Sequence, residues 1–235
     1  MKNLAVITGG TKGIGKALVE KFASGGWNIV TCSRNEEDLR DLKTEVEEMN
    51  EDVELHIFPA DFSDKNQVLG FVDFIGALHQ PVEVLINNAG VFVPGAIHDE
   101  PEGVMEMMMK TNLYSAYYLT RGLIGEMKTR KSGHVFNICS TASITPYING
   151  GSYCMSKYAL YGMTKVLREE MKAHGVRVTA VLPGATRTAS WEGTDLPEER
   201  FIRPEDVADA VWNAFSVSRR TVVEELLIRP QLGDI

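Results

Sequence analysis

With 235 residues, 44% of them hydrophobic and 24% charged, the chain has the size and make-up of one α/β domain spanning residues 1–235, and no Pro/Gly/Ser-rich linker divides it. The net charge of -8, with Lys and Arg scattered along the length, excludes the clustered basic footprint of a nucleic-acid-binding protein. Cys32, Cys139 and Cys154 form no C-x-x-C pair, His56, His79, His98, His134 and His174 fall at no metal-ligand spacing, and neither a leader nor an apolar run of about 18 residues is present, so a reducing cytoplasm, no metal and no membrane contact are expected.

In chain order, short Val/Ile/Leu-rich runs alternate with longer segments of helical periodicity. Strands are expected at Asn3–Thr8, Asn28–Cys32, Val53–Phe58, Val82–Asn87, His134–Ser140, Val176–Leu182 and Thr221–Ile228. Between them, helices are expected at Gly13–Ser24, Glu36–Asn50, Asp64–His79, Pro101–Thr129, Gly151–His174 and Pro204–Ser216. Strands that read as continuous apolar runs are buried on both faces, so the pattern predicts a single doubly wound, Rossmann-type α/β domain: a seven-stranded parallel sheet with helices on both faces. Met105, Met107, Met108 and Met109 read as helix packing within the long fourth helical segment.

The first crossover carries a glycine-rich turn, Gly9-Gly10-Thr11-Lys12-Gly13-Ile14-Gly15, between a strand and a helix. Glycines permit close backbone approach to phosphate oxygens, and the amino end of the helix offers unpaired N–H groups and a positive dipole end. The spacing is G-x-x-x-G-x-G, and the Gly-Lys-Ser/Thr ending of a P-loop is absent. After the second strand, where an acid usually meets a bare ribose 2′-hydroxyl, stands Arg34. With Lys12 it supplies two cations for a 2′-phosphate, so NADP(H) is expected rather than NAD(H). An unliganded turn and two solvated surface charges are the alternatives.

The reacting groups are expected near Tyr153-Cys-Met-Ser-Lys157, whose phenol and ammonium share one helix face at a spacing of four. An ammonium beside a phenol stabilises the phenolate and pulls its pKa down from about 10, which makes Tyr153 a candidate general acid or base. Ser140 is expected at the carboxyl end of the fifth strand, where a hydroxyl can hold a carbonyl oxygen. Cys139 and Cys154, on either side, read as small buried hydrophobes.

Taken together, Thr8-Gly-Gly-Thr-Lys-Gly-Ile-Gly15, Asn87-Asn-Ala-Gly90, Asn112, Ser140, Tyr153-x-x-x-Lys157 and Pro183-Gly184 resemble the motifs of the short-chain dehydrogenase/reductase superfamily, in its main single-domain branch, over nearly the whole chain. The resemblance implies a catalytic tetrad of Asn112, Ser140, Tyr153 and Lys157. Tyr153 would protonate a carbonyl oxygen as hydride arrives from the nicotinamide, Ser140 would hold that oxygen, Lys157 would lower the Tyr153 pKa and bind the nicotinamide ribose, and Asn112 would hold a relay water. It implies further cofactor contacts from Asp61 to the adenine, from Asn88 and Ala89, and from Pro183, Gly184, Thr186 and Thr188, with Asn87 stitching strands. Asp61 or Ser63 could also cap the next helix. Val91-Phe92-Val93-Pro94 and the loop from Thr188 to Phe201 would flank the substrate, with Trp191 and Phe201 either lining a pocket or anchoring the loop, and with an acidic stretch from Glu192 to Glu199.

The implied function is NADPH-dependent hydride transfer between nicotinamide and a small carbonyl or alcohol substrate, in a homodimer or homotetramer. The 3-oxoacyl-carrier-protein reductases are an alternative within the family, although the ending Arg229-Pro-Gln-Leu-Gly-Asp-Ile235 departs from theirs. A non-catalytic NADP-binding regulator is the alternative outside it.

Overall fold

The computed structural model of the chain describes residues 2–188, 191 and 193–235. Its sheet is built from β1 (Leu4–Thr8), β2 (Asn28–Ser33), β3 (Leu55–Pro59), β4 (Val82–Asn87), β5 (His134–Ile138), β6 (Arg177–Pro183) and β7 (Glu225–Ile228). The helices are α1 (Gly13–Ser24), α2 (Glu36–Met49), α3 (Lys65–Ala77), α4 (Val104–Met109), α5 (Ser115–Arg130), α6 (Gly151–Met171) and α7 (Pro204–Ser216). The seven strands pair in parallel in the order β3-β2-β1-β4-β5-β6-β7. The order reverses direction between β1 and β4, and open α/β sheets bind ligands in the crevice outside the strand carboxyl ends at such a point.

Successive strand residues point to opposite faces, and β1 shows the result: Ala5 and Ile7 enter one core, Leu4 and Val6 the other. The first core lies under α1, α2 and α7 and includes Phe22, Trp27 and Trp212, whose rings meet edge to face. The second lies under α3 and α5, around Phe71, Leu85 and Leu119. None of the described helices is long and apolar enough to cross a membrane.

Several expected boundaries change, among them the end of β5, which falls at Ile138 and leaves Ser140 outside the strand. β3 starts at Leu55 because the Val53 N–H turns back to the Asn50 carbonyl, and β7 is confined to Glu225–Ile228. The single helix expected over Pro101–Thr129 is instead α4 and α5 joined by a wider π turn, Lys110–Tyr114, that carries Asn112. Such an insertion re-aims side chains without ending the helix. Met108 is fully buried, in keeping with the packing role read for the methionines.

Burial on both faces leaves a titratable group inside the sheet. His134 has no exposed surface, stacks on Phe136 and lies with Nε2 2.7 Å from Thr179 Oγ1. Thr179 gives its own proton to the Val223 carbonyl, so the imidazole carries its hydrogen on Nε2 and donates it. Burial, with the Arg177 charge adding, holds the His134 pKa well below its ordinary value. A group that is neutral in the fold but protonates near pH 6.5 in the unfolded chain stabilises fully above that pH and progressively less as pH falls below it. Thermal midpoints should therefore fall between pH 7.5 and about 5.5, and fall less in His134→Leu; an equally steep fall in that variant would assign the loss to other groups, such as the partly buried His56.

Candidate active site

At the switch point the turn after β1 is held by its neighbours. Thr8 Oγ1 accepts from the N–H groups of Asn88 and Ala89, each at 2.9 Å, and Asn88 Nδ2 donates to the carbonyls of Thr8 and Gly9. Thr11 Oγ1 donates to Ser33 Oγ at 3.1 Å, tying the turn to the end of β2 as well. Two glycines are required by contact: a Cβ on Gly15 would lie 2.0 Å from the Gly9 oxygen, and one on Gly13, where φ is +52°, would lie 2.8 Å from Thr188. The start of α1 has no side-chain cap and no acid in its first turn, which leaves its positive end open toward Ile14 and the cleft. This donor set fits the phosphates of a dinucleotide.

The two cations singled out from the sequence differ in circumstance. Lys12 Nζ pairs with Asp38 at 3.0 Å, whereas Arg34 is exposed and makes no ion pair among the described residues. Asp61 Oδ1 accepts from the Ser63 N–H at 2.8 Å, the main reason its carboxyl is held below the usual range, and the Arg34 charge adds to this. The cap of α3 is Asp64, which accepts from the Asn66 N–H, and neither Asp61 nor Ser63 fills that place. Ala89 packs against the second core and spends its N–H on Thr8, so its side chain does not face the cleft. Asn87 does stitch strands: Nδ2 donates to Asn137 Oδ1 at 2.7 Å and to Thr120 Oγ1 at 3.0 Å.

Ser140 lies two residues past the end of β5, where it opens a short 3-10 turn, Thr141–Ser143, and accepts from the Ala142 N–H at 3.1 Å. Tyr153 comes from the first turn of α6, lines the same cleft as Ser140, and meets the edge of Phe92 with ring centroids 4.8 Å apart. One turn further on, Lys157 is 5% exposed and donates from Nζ to the Ile138 carbonyl at 2.8 Å. The structure thus brings Ser140, Tyr153 and Lys157 to one cleft at the ends of β5 and β6, lined also by Pro183, Gly184, Thr186 and Thr188.

One expectation is corrected here. Lys157 does not draw the Tyr153 phenol downward in this geometry: burial raises its pKa above 10, partly offset by the Ser140 hydrogen bond, while Nζ is 5.8 Å from the ring centroid and bonded to Ile138. Burial also lowers the Lys157 pKa to about 8. The Asn112 side chain is held between the loop after β4 and α6. Its Oδ1 accepts from the Val91 N–H at 2.7 Å, and its Nδ2 donates to the Val91 carbonyl at 3.0 Å and to Ser156 Oγ at 2.9 Å. It binds the loop after β4 to α6 and so acts as a brace.

The cleft has room for about 350 Å³ of solvent. Trp191 lines it and packs edge-on against the buried Phe201, with centroids 5.1 Å apart, so one aromatic faces the cleft and the other anchors the loop. Glu192, the first of the acidic stretch, lies outside the described residues. Burial pushes the Cys139 thiol up to about 11, which makes it inert. Sequence reasoning missed Tyr147, Asp234 and Ile235, which also line the cleft. Asp234 is brought there by an ion pair with Arg229 and by Arg200, which donates to its carbonyl. The opposite charges of Arg229 and Asp234 were the available signal.

Comparison with known proteins gives concordant matches. The family described as short chain dehydrogenase matches residues 3–198. A sepiapterin reductase of Chlorobaculum tepidum is 35% identical over 243 aligned residues, covering 100% of this chain and 99% of that protein. The crystal structure of a metagenomic short-chain oxidoreductase in complex with NADP superposes with a TM-score of 0.84 at 31% identity, covering 97% of each chain. That of a serine dehydrogenase from Escherichia coli does so with a TM-score of 0.82 at 26% identity and 96% of each.

Proposed function

Because the chain belongs to the short-chain dehydrogenase family of oxidoreductases, we propose that residues 1–235 form one NADPH-dependent reductase domain acting on a small carbonyl compound, with Tyr153 as the general acid. The observation that carries the proposal is the placement of Ser140, Tyr153 and a buried Lys157 in one cleft next to the open end of α1. Bound there, a reduced nicotinamide supplies hydride. Ser140 Oγ holds the substrate oxygen, and Tyr153 delivers its proton to that oxygen as negative charge develops. A phenol whose pKa is raised by burial stays protonated through neutral pH, which suits the reductive direction. Lys157, charged below about pH 8, offsets the phenolate formed on proton transfer.

NADPH in preference to NADH rests on Arg34, unpaired at the end of β2 beside Asp61, with Lys12 near it in the turn, and on the NADP found in the metagenomic relative. Thr186, Thr188, Pro183 and Gly184 would close over the nicotinamide end, and Asn88 would border it. The aromatic walls, Phe92, Tyr147 and Trp191, suit a compact, flat or apolar substrate. A homodimer or homotetramer would use the outer faces of α5 and α6, where Tyr117, Tyr158 and Val166 are exposed, and three buried, unpaired cysteines suit a reducing cytoplasm.

A panel of aldehydes, ketones, diketones, acyl thioesters and sepiapterin, assayed with NADPH and NADH, tests the reading. Turnover with NADPH should fall about 10²–10⁴-fold in Tyr153→Phe while NADPH affinity stays near the parent value; near-normal turnover in that variant would remove Tyr153 from its role. Arg34→Asp should move the preference toward NADH, and an unchanged NADPH/NADH ratio of kcat/KM would put the phosphate contact elsewhere.

A further inference from the structure

The helix that carries both Tyr153 and Lys157 is 21 residues long, yet its own N-cap residue, Gly150, supplies no side-chain acceptor and its first turn contains no acid. Such a terminus presents unpaired N–H groups and a positive dipole end. The acceptor comes instead from Glu100, in the loop that follows β4. Its Oε1 accepts from the Ser152 N–H at 2.8 Å and its Oε2 accepts from the Ser152 hydroxyl. Ser152 has no exposed surface, so this is an interior contact between elements 52 residues apart.

The surroundings are shaped around that carboxylate. A Cβ on Gly151 would lie 2.1 Å from Glu100 Oε1, and one on Gly95 would lie 2.6 Å from Glu100 Cγ. Gly95 pairs with Gly150 in an isolated parallel bridge, its N–H donating to the Asn149 carbonyl at 2.9 Å. The Ala96 carbonyl accepts from both Asp99 and Glu100, a tight turn that presents the carboxylate to the helix. The other end of the same loop carries Val91, braced by Asn112, and Phe92, which packs on the Tyr153 ring.

We propose that Glu100 is a positioning residue: it caps the catalytic helix from outside, sets the rotation of its first turn, and thereby holds the Tyr153 hydroxyl against Ser140 while tying the Phe92 wall to the same turn. The inference rests on the reductase reading above. Its mechanism is geometric, since a displacement of about 1 Å at a reacting group can cost about 10²-fold in rate.

The test joins steady-state kinetics to amide hydrogen exchange in the full-length protein. In Glu100→Ala, kcat should fall about 10- to 100-fold with the NADPH Kd changed less than about 3-fold. Exchange should quicken selectively at the amides of 151–154 and 91–100. Glu100→Gln, which keeps the acceptor at Ser152, should stay within about 3-fold of the parent in kcat. Should Glu100→Ala fail to fold, Glu100→Asp, which keeps the charge but shortens its reach, should show the same selective exchange and a smaller loss of kcat. Unchanged exchange at 151–154, an unchanged kcat, or a Kd that weakens in step with kcat would overturn the proposal. If the parent protein turns over no carbonyl compound, the reductase reading fails, and the exchange arm alone decides whether Glu100 holds the turn bearing Tyr153.

Discussion

Two buried hydrogen bonds join α6 to β5: Asn137 Nδ2 donates to Thr164 Oγ1 at 2.8 Å, and, at the cleft, Lys157 Nζ donates to the carbonyl of Ile138, the last residue of the strand, also at 2.8 Å. The lysine loses most of its hydration, and the lowered pKa is the mark of that cost, so a charged donor persists there only because a carbonyl faces it directly. Tyr153, one turn earlier on the same helix face, enters the cleft that Ser140, two residues beyond Ile138, also lines. The contact between the helix and the exit of the strand thus fixes the depth of Lys157 in the cleft.

The second constraint is the joining of two loops across the switch point. Asn88 and Ala89, at the start of the loop after β4, donate four hydrogen bonds to Thr8 and Gly9 in the turn after β1. Asn112 then braces Val91, further along that loop, against Ser156 of α6. The open end of α1, the Phe92 wall and the catalytic helix are thus connected through backbone groups and short polar side chains, whose rotamer freedom is small. Rigid support of this kind is what proton transfer between pre-placed groups requires.

Much of this was readable from local pattern. Continuous runs such as Leu4–Thr8 and Val82–Asn87 can only be strands buried on both faces, and the spacing of Tyr153 and Lys157 fixes their shared helix face regardless of tertiary context. What escaped depends on partners distant in sequence. The π turn at Lys110–Tyr114 leaves the apolar periodicity nearly unchanged, and its reason lies in Val91 and Ser156. The cap on α6 is Glu100, while the local residues that sequence reading consults are glycines. The pKa of Tyr153 depends on burial set by the whole cleft, which spacing alone underestimates.

Burial, more than the neighbouring ammonium, sets the protonation of Tyr153, so the phenol is held neutral above its ordinary range. Ultraviolet titration of phenolate absorbance, taken as the difference between the parent protein and Tyr153→Phe, isolates that group. The difference signal should rise only above about pH 10. A phenolate appearing near neutral pH would contradict it, and would mean that Lys157 governs the phenol in spite of its bond to Ile138.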